Sequence, residues 1–132
     1  MINKQRLRRL LAPKSIAVFG SRGADFAIRE SLAMGFEGPI WSVHPQREQL
    51  MGIKCLQSVT DLPQAPDAAY VAVNAESAIS TVAQLNEMGA GGALLYASGF
   101  SELSDELKIV GLDRQERLIA AAGDMPIIGP NC

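Results

Sequence analysis

Two short segments of the sequence carry residue types that could hold an anionic ligand. The first runs Gly20-Ser21-Arg22-Gly23-Ala24-Asp25 and leads into a segment with helical periodicity. Glycine lets a backbone turn tightly and approach a ligand closely, and the N–H groups at the start of a helix have no partners within it. Arg22 and Asp25 occupy the positions where the dinucleotide fingerprint has its second and third glycines. The segment therefore predicts either a phosphate-binding turn or a plain connection between a strand and a helix.

The second segment, Val43-His44-Pro45-Gln46-Arg47, ends on a guanidinium. Dinucleotide-binding folds that hold an unphosphorylated ribose have a carboxylate near this point, whereas an arginine suits a phosphate. The guanidinium of Arg47 can bind a phosphate through two parallel hydrogen bonds, and a carboxylate would repel it. Pro45 fixes a bend and favours an extended His44. The alternatives are a solvated Arg47 and a structural, hydrogen-bonded His44.

Five apolar runs could position these segments at one edge of a sheet. Each run is short and almost continuously apolar, which is typical of strands that are covered on both faces. The connections at residues 25–36, 76–89 and 101–123 have helical periodicity, while residues 44–66 carry no clear long helix. The apolar runs are residues 15–20, 39–43, 68–73, 92–97 and 126–129.

This alternation predicts an α/β, Rossmann-like, three-layer αβα fold with right-handed crossovers. We expect a parallel five-stranded sheet in the order 3-2-1-4-5, with one strand from each apolar run. In such sheets, ligands bind at the carboxyl ends of the strands. A ligand site is therefore expected in the loops that follow Phe19, Val43, Val73, Tyr96 and Ile128.

The composition limits the classes of function. The chain has 132 residues, of which 48% are hydrophobic and 20% charged, and this fits one globular domain over residues 1–132. A formal net charge of −2 argues against a general nucleic-acid or membrane surface. One histidine and two cysteines, Cys55 and Cys132, match no metal-ligand spacing, so we expect no metal site and two reduced thiols.

The N-terminal segment is basic, but it lacks the apolar stretch and cleavage site of a signal peptide. No apolar run approaches the roughly 20 residues of a membrane span. The segment instead predicts a short amphipathic helix, and the cytoplasm is the expected compartment. The residues expected to face inward are Ile2, Leu7, Leu10 and Leu11.

Five motifs in a fixed order cover almost the whole chain. They are SIAVFG at residues 15–20, GFEGPIWSVHP at 35–45, LPQAPDAAYVAVN at 62–74, GGALLYASGF at 91–100 and IIGPNC at 127–132. With these motifs, the chain from about residue 12 to its end resembles the CoA-binding domain of ADP-forming (NDP-forming) acyl-CoA synthetases. It resembles, more distantly, the alpha subunit of succinyl-CoA synthetase.

The resemblance implies that coenzyme A is the ligand and that it binds at the strand ends. It implies that the glycine segment meets the nucleotide phosphates and that Arg47 contacts a CoA phosphate near the adenosine. Two positions depart from the common pattern, since His44 replaces an asparagine and Asn74 replaces a proline. The residues that the resemblance assigns to CoA binding are Gly20, Ser21, Arg22, Gly23, Ala24, His44, Pro45, Arg47, Val73, Asn74, Tyr96, Ala97, Ser98 and Gly99.

The resemblance also implies a division of labour between domains. In the family, the histidine that carries phosphate lies in a later domain, and His44 does not match it. We therefore expect no catalytic residue here and an N-terminal part of a longer acyl-CoA synthetase (an ADP-forming ligase) that is inactive alone. Expected partners are CoA or acyl-CoA and the remaining domains or subunits, with no nucleic acid and no membrane. Two alternatives stay open: an NADP(H)-binding module of a reductase and a stand-alone CoA-binding sensor protein.

Overall fold

The computed structural model describes residues 2–20, 22–96 and 108–129. Within these ranges, strands and α-helices alternate except between residues 40 and 71, where four strands and a single 3-10 turn at Val59–Asp61 follow one another without an α-helix. None of the helices in this part of the chain is long and apolar enough to cross a membrane. The elements are α1 (Lys4–Leu11), β1 (Ile16–Phe19), α2 (Arg22–Ala33), β2 (Ile40–Val43), β3 (Gln49–Leu50), β4 (Ile53–Leu56), β5 (Ala68–Val71), α3 (Ala75–Met88), β6 (Ala93–Leu95), α4 (Lys108–Ala122) and β7 (Ile127–Ile128).

The strands form one sheet in the order β3-β4-β2-β1-β5-β6-β7. Neighbouring strands are parallel except for β3 and β4, which form an antiparallel hairpin at the edge. Strand β1 is central, with β2 on one side and β5 on the other. The chain reverses its direction of travel across the sheet between β1 and β5, and this is the switch point where α/β sheets bind ligands.

The predicted α/β class is confirmed, but the sheet has seven strands instead of five. The predicted third strand, residues 68–73, pairs with β1 as β5 and does not lie beyond β2. The place beyond β2 belongs to β4, in the connection where the sequence predicted no strand. The six parallel strands, numbered among themselves, follow the order 3-2-1-4-5-6.

The hairpin escaped prediction for two physical reasons. Strand β4 lies near the sheet edge, so Lys54 interrupts its apolar residues and the continuous pattern of a central strand is absent. The turn between β3 and β4 is Met51-Gly52, with φ angles of 52° and 79°. Two positive φ angles are typical of a type I′ hairpin turn, which usually has asparagine or aspartate before the glycine.

The side chains of β1 alternate between two hydrophobic cores. Ala17 and Phe19 join the core beneath α3 and α4. Val18, between them, joins the core beneath α2, together with the helix residues Ala24 and Ile28. Because both faces of the central strand are buried, its sequence is continuously apolar.

Helix α1 lies at the opposite edge of the sheet from the strand ends. Leu10 is buried and Leu7 half-buried, as predicted, but Ile2 and Leu11 are 54% and 69% exposed. The face turned toward the domain carries two arginines instead. Arg6 donates hydrogen bonds to Asn86 and Asp124, and Arg9 donates to Asp67 at 2.7 Å. These long-range contacts fix the helix more specifically than apolar packing alone. 

Candidate functional site

A cavity of about 590 Å³ opens at the carboxyl ends of β1, β2 and β5. We call it the strand-end cavity. The turns after these three strands form one side, and one face of α3 forms the other. Among the described residues, its lining contains no charged side chain apart from an ionisable histidine, His44. The lining consists of Phe19, Gly20, Val43, His44, Pro45, Gln46, Gln57, Ser58, Val59, Ala72, Val73, Asn74, Ser77, Ser80, Thr81 and Gln84.

Gly20 forms the turn that leads from β1 toward α2. Its φ angle is +108°, a conformation that L side chains rarely adopt. A Cβ atom here would lie 2.2 Å from the carbonyl oxygen of Ala72 in the neighbouring strand connection. The absence of a side chain therefore lets two strand ends approach closely at the floor of the strand-end cavity. Helix α2 begins at Arg22, so its unpaired N–H groups lie at the same edge of the sheet.

Gly23 packs closely against β5 and the connection that follows it. It lies in the first turn of α2, where a Cβ would stand 2.8 Å from the Cβ of Ala72 and 3.4 Å from the ring of Tyr70. Gly23 thus brings the helix close to β5, which is the packing role of the third glycine in a dinucleotide fingerprint. Ala24 is buried in the core and Arg22 is exposed, and neither lines the strand-end cavity. Ser21 lies outside the described residues.

His44 shapes the turn that follows β2. Its Nδ1 accepts hydrogen bonds from the backbone N–H groups of Gln46 and Arg47, both at 3.0 Å. The backbone N–H of His44 donates to the carbonyl of Leu56 at 2.8 Å, which ties the turn to β4. The imidazole therefore makes the kind of side-chain-to-backbone turn that asparagine or aspartate makes elsewhere. Pro45 fills the bend between these contacts.

Asn74 starts α3 at the edge of the strand-end cavity. It is the N-cap residue, and its Oδ1 accepts a hydrogen bond from the N–H of Ser77 at 2.9 Å. Asparagine is among the most favourable residues at this position. The N-terminus of α3 thus reaches the same edge as that of α2, and both carry a partial positive charge. Val73, just before it, also lines the strand-end cavity.

Arg47 lines a second cavity, of about 810 Å³, beside the β3–β4 hairpin. This hairpin cavity shares Pro45, Gln46 and Gln57 with the strand-end cavity, so the two lie side by side. Lys54 lines it as well. Within the described parts of the chain, the side chains of Arg47 and Lys54 take part in no ion pair. Both cations are therefore available to an anionic ligand.

Tyr96 is the last predicted residue within the described ranges, and it does not line the strand-end cavity. Tyr96 is 62% exposed, and its N–H donates to the carbonyl of Val71. The following predicted residues, and the thiol of Cys132, lie outside the described ranges. Cys55 is a free, buried thiol, and the described residues contain no group of three or more potential metal ligands. The predicted residues outside the described ranges are Ala97, Ser98 and Gly99.

Sequence reasoning missed the polar face of α3. The polar side chains that line the cavity follow one another at intervals of three, one and three residues, which places them on one face of the helix. A polar stripe with this spacing, directly after a predicted strand end, would have identified them. Lys54 was missed together with its strand. The stripe consists of Ser77, Ser80, Thr81 and Gln84.

Comparison with known proteins decides the family. The model of the CoA binding domain family matches residues 14–132. The chain belongs to this family. The resemblance inferred from the motifs is thereby confirmed.

The chain spans about a fifth of the length of two curated relatives that are named as a CoA synthase and a CoA ligase. It is 37% identical to a trans-feruloyl-CoA synthase from an unknown prokaryotic organism, in a match that covers 98% of this chain and 19% of that protein. It is 34% identical to the ADP-forming acetate–CoA ligase II of Archaeoglobus fulgidus, with 95% and 19% covered. A solved structure of the dinucleotide-forming acetyl-coenzyme A synthetase 1 from Ca. Korarchaeum cryptofilum, in its apo form, has a TM-score of 0.80 at 29% identity. That match covers 95% of this chain and 28% of the synthetase chain.

Proposed function

We propose that this chain binds coenzyme A across the strand-end and hairpin cavities and presents it to chemistry that other domains of an ADP-forming acyl-CoA synthetase perform. The observation that carries the proposal is the pairing of two different cavities. One is polar, has no carboxylate in its described lining and includes the N-cap of α3, and the other is lined by Arg47 and Lys54 together with Glu48 and Asp61. CoA has phosphates at two separated places and a neutral, amide-rich arm, so it needs this combination.

In this proposal, the pyrophosphate lies at the switch point. Gly20 lines the strand-end cavity there, and the N–H groups at the start of α2 supply donors without a charged side chain. A carboxylate at this place would repel the ligand, and none lines the described part of the strand-end cavity. The hydroxyl and amide groups on the polar face of α3 offer hydrogen bonds to neutral groups of the ligand.

The phosphate near the adenosine lies in the hairpin cavity. Arg47 can bind it through a bidentate contact, and Lys54 adds a second positive charge from β4. Leu56 packs against the core beneath α3, and Lys54 precedes it by two residues, so both side chains leave β4 on the same face. Lys54 is therefore on the side of the sheet that carries the polar face of α3.

We assign no catalytic residue to this chain, and we infer that its partners are the remaining domains or subunits of the synthetase. His44 uses its Nδ1 to build a turn, which is a structural task and not that of a phosphate carrier. The alpha subunit of the ADP-forming acetate–CoA ligase II of Pyrococcus furiosus, which is 28% identical over 91% of this chain, supports an arrangement in separate subunits. The NADP(H) alternative gains no support from the relatives described above.

Calorimetric titration with CoA, acetyl-CoA, NADPH and NADH, each added alone, tests the proposal. We expect CoA and acetyl-CoA to bind and both nicotinamide dinucleotides to leave the chain unliganded, because the dinucleotide fingerprint is incomplete. Lys4→Ala removes one positive charge from the exposed surface of α1, and we expect this control variant to bind CoA as tightly as the original chain. Binding of NADPH with no binding of CoA would overturn the assignment.

A further inference from the structure

The imidazole of His44 is committed by its contacts to one protonation state. A ring nitrogen that accepts a hydrogen bond cannot carry a proton, and Nδ1 accepts two backbone N–H groups at 3.0 Å. The neutral ring must then carry its proton on Nε2. Protonation of Nδ1 would remove both hydrogen bonds. The backbone N–H groups of Gln46 and Arg47 would then face a third donor, the N–H at Nδ1.

These contacts decide where the next residues of the turn lie. The backbone N–H of Arg47 is one of the two donors, so the imidazole fixes the start of the side chain that we assign to a CoA phosphate. The backbone N–H of His44 donates a hydrogen bond to the carbonyl of Leu56, and this holds the other end of the turn on β4. A turn that opened at Nδ1 would leave the position of the guanidinium unspecified.

Among the described residues, no carboxylate forms a hydrogen bond with the ring of His44. His44 is the one ionisable residue among the described lining of the strand-end cavity. The charged side chains on neighbouring elements line the hairpin cavity and carry both signs. They are Arg47 and Glu48 on the same turn, Lys54 on β4 and Asp61 in the 3-10 turn. Protonation would therefore lose two hydrogen bonds without gaining a hydrogen-bonded counter-charge from the described residues.

We propose that His44 is a positioning residue for the CoA site and that its neutral form, in which Nδ1 accepts both backbone N–H groups, is required for full affinity. The inference rests on the proposed function, because Arg47 must contact the ligand. It adds a property that an asparagine at this position could not confer, since an amide accepts the same two hydrogen bonds but does not titrate.

The test compares the full chain with His44→Asn and His44→Ala by calorimetric titration with CoA at mildly alkaline and mildly acidic pH. At alkaline pH, we expect His44→Ala to bind CoA about five- to thirtyfold more weakly than the original chain, because one or two hydrogen bonds disappear. We expect His44→Asn to restore this affinity. On acidification, the affinity of the original chain should fall by several-fold more than that of His44→Asn. The ratio of the dissociation constants of the two proteins at each pH cancels any effect that comes from the titration of CoA itself.

Two results would overturn the inference while leaving the proposed function intact. One is equal pH dependence in the original chain and in His44→Asn. The other is tighter binding by the original chain at acidic pH, which would mean that the imidazolium attracts a phosphate directly. Absence of CoA binding by the original chain at any pH would instead refute the proposed function.

A second readout does not require the ligand. The chain contains one histidine, so the ring nitrogens give an unambiguous nitrogen NMR signal. At alkaline pH, we expect the signal of an unprotonated Nδ1 and a protonated Nε2 in the free protein. The opposite tautomer would contradict the geometry on which the inference is built.

Discussion

Replacing Gly20 by alanine should destabilise the fold more than the same change at any open turn. At Gly20, the φ angle is +108° and the new Cβ would lie 2.2 Å from the carbonyl oxygen of Ala72. The left-handed backbone conformation costs an L residue about 1–2 kcal/mol. The collision is with backbone, which cannot rotate away, so overpacking adds roughly 1–3 kcal/mol. We expect the free energy of unfolding to fall by about 2–5 kcal/mol in total.

Gly35→Ala provides the matched control. Gly35 has a φ angle of +85°, but no heavy atom lies within 4 Å of the position of its Cβ. Its cost is therefore conformational alone, about 1–2 kcal/mol, less a few tenths regained from a stiffer unfolded chain. Urea unfolding of both variants, followed by circular dichroism, measures the difference. Equal losses at the two glycines would refute the claim that a close approach between strand ends requires Gly20.

Three further predictions test other parts of the account. Arg47→Ala and Lys54→Ala should each weaken CoA binding by about 1–3 kcal/mol, and calorimetry should show a smaller loss with dephospho-CoA, which lacks the 3′-phosphate; equal losses with both ligands would move the contact to the pyrophosphate. The hydrogen bond from Arg117 outweighs partial desolvation and, with Arg114 and both positive charges, lowers the pKa of Glu76 to about 2. In acid titrations of thermal unfolding, the stability advantage of the original chain over Glu76→Gln should therefore be present above pH 4.5 and vanish as the pH falls toward 2. An advantage that persists at the lowest pH would contradict this prediction. Met51→Asn should raise the free energy of unfolding by up to about 1 kcal/mol in urea, because asparagine tolerates the φ of 52° that methionine resists, and a loss of stability would show that the Met51 side chain packs usefully.

The central part of the sheet was predictable from the sequence because each of its strands is buried on both faces. β1 and β5 are apolar at every position for this reason, and their ends correctly located the strand-end cavity. The edge was not predictable by the same pattern, since Lys54 can leave the sheet toward solvent without cost. Met51 concealed the hairpin, because a methionine is an unusual residue at a positive φ angle.

The candidate site likewise contains some residues that were predictable from the sequence and others that were not. Gly20, His44 and Val73 were predictable because backbone geometry at a strand end restricts them, and all three line the strand-end cavity. The close approach of Gly23 to Ala72 and Tyr70 was not predictable, since sequence alone does not show which atoms a glycine must approach. The polar face of α3 depends on the rotation of a helix about its axis, which its apolar residues determine jointly with the rest of the core.

The most direct test of the account is an amide NMR titration of the chain with CoA. If CoA spans the two cavities, the backbone signals of Gly20, Arg47 and Ser77 should shift together with one dissociation constant. The signals of the α1 residues at the opposite edge of the sheet should remain unchanged. Shifts confined to a different surface, or no saturable shift at Gly20 and Arg47, would contradict the proposal that these strand ends form the CoA site.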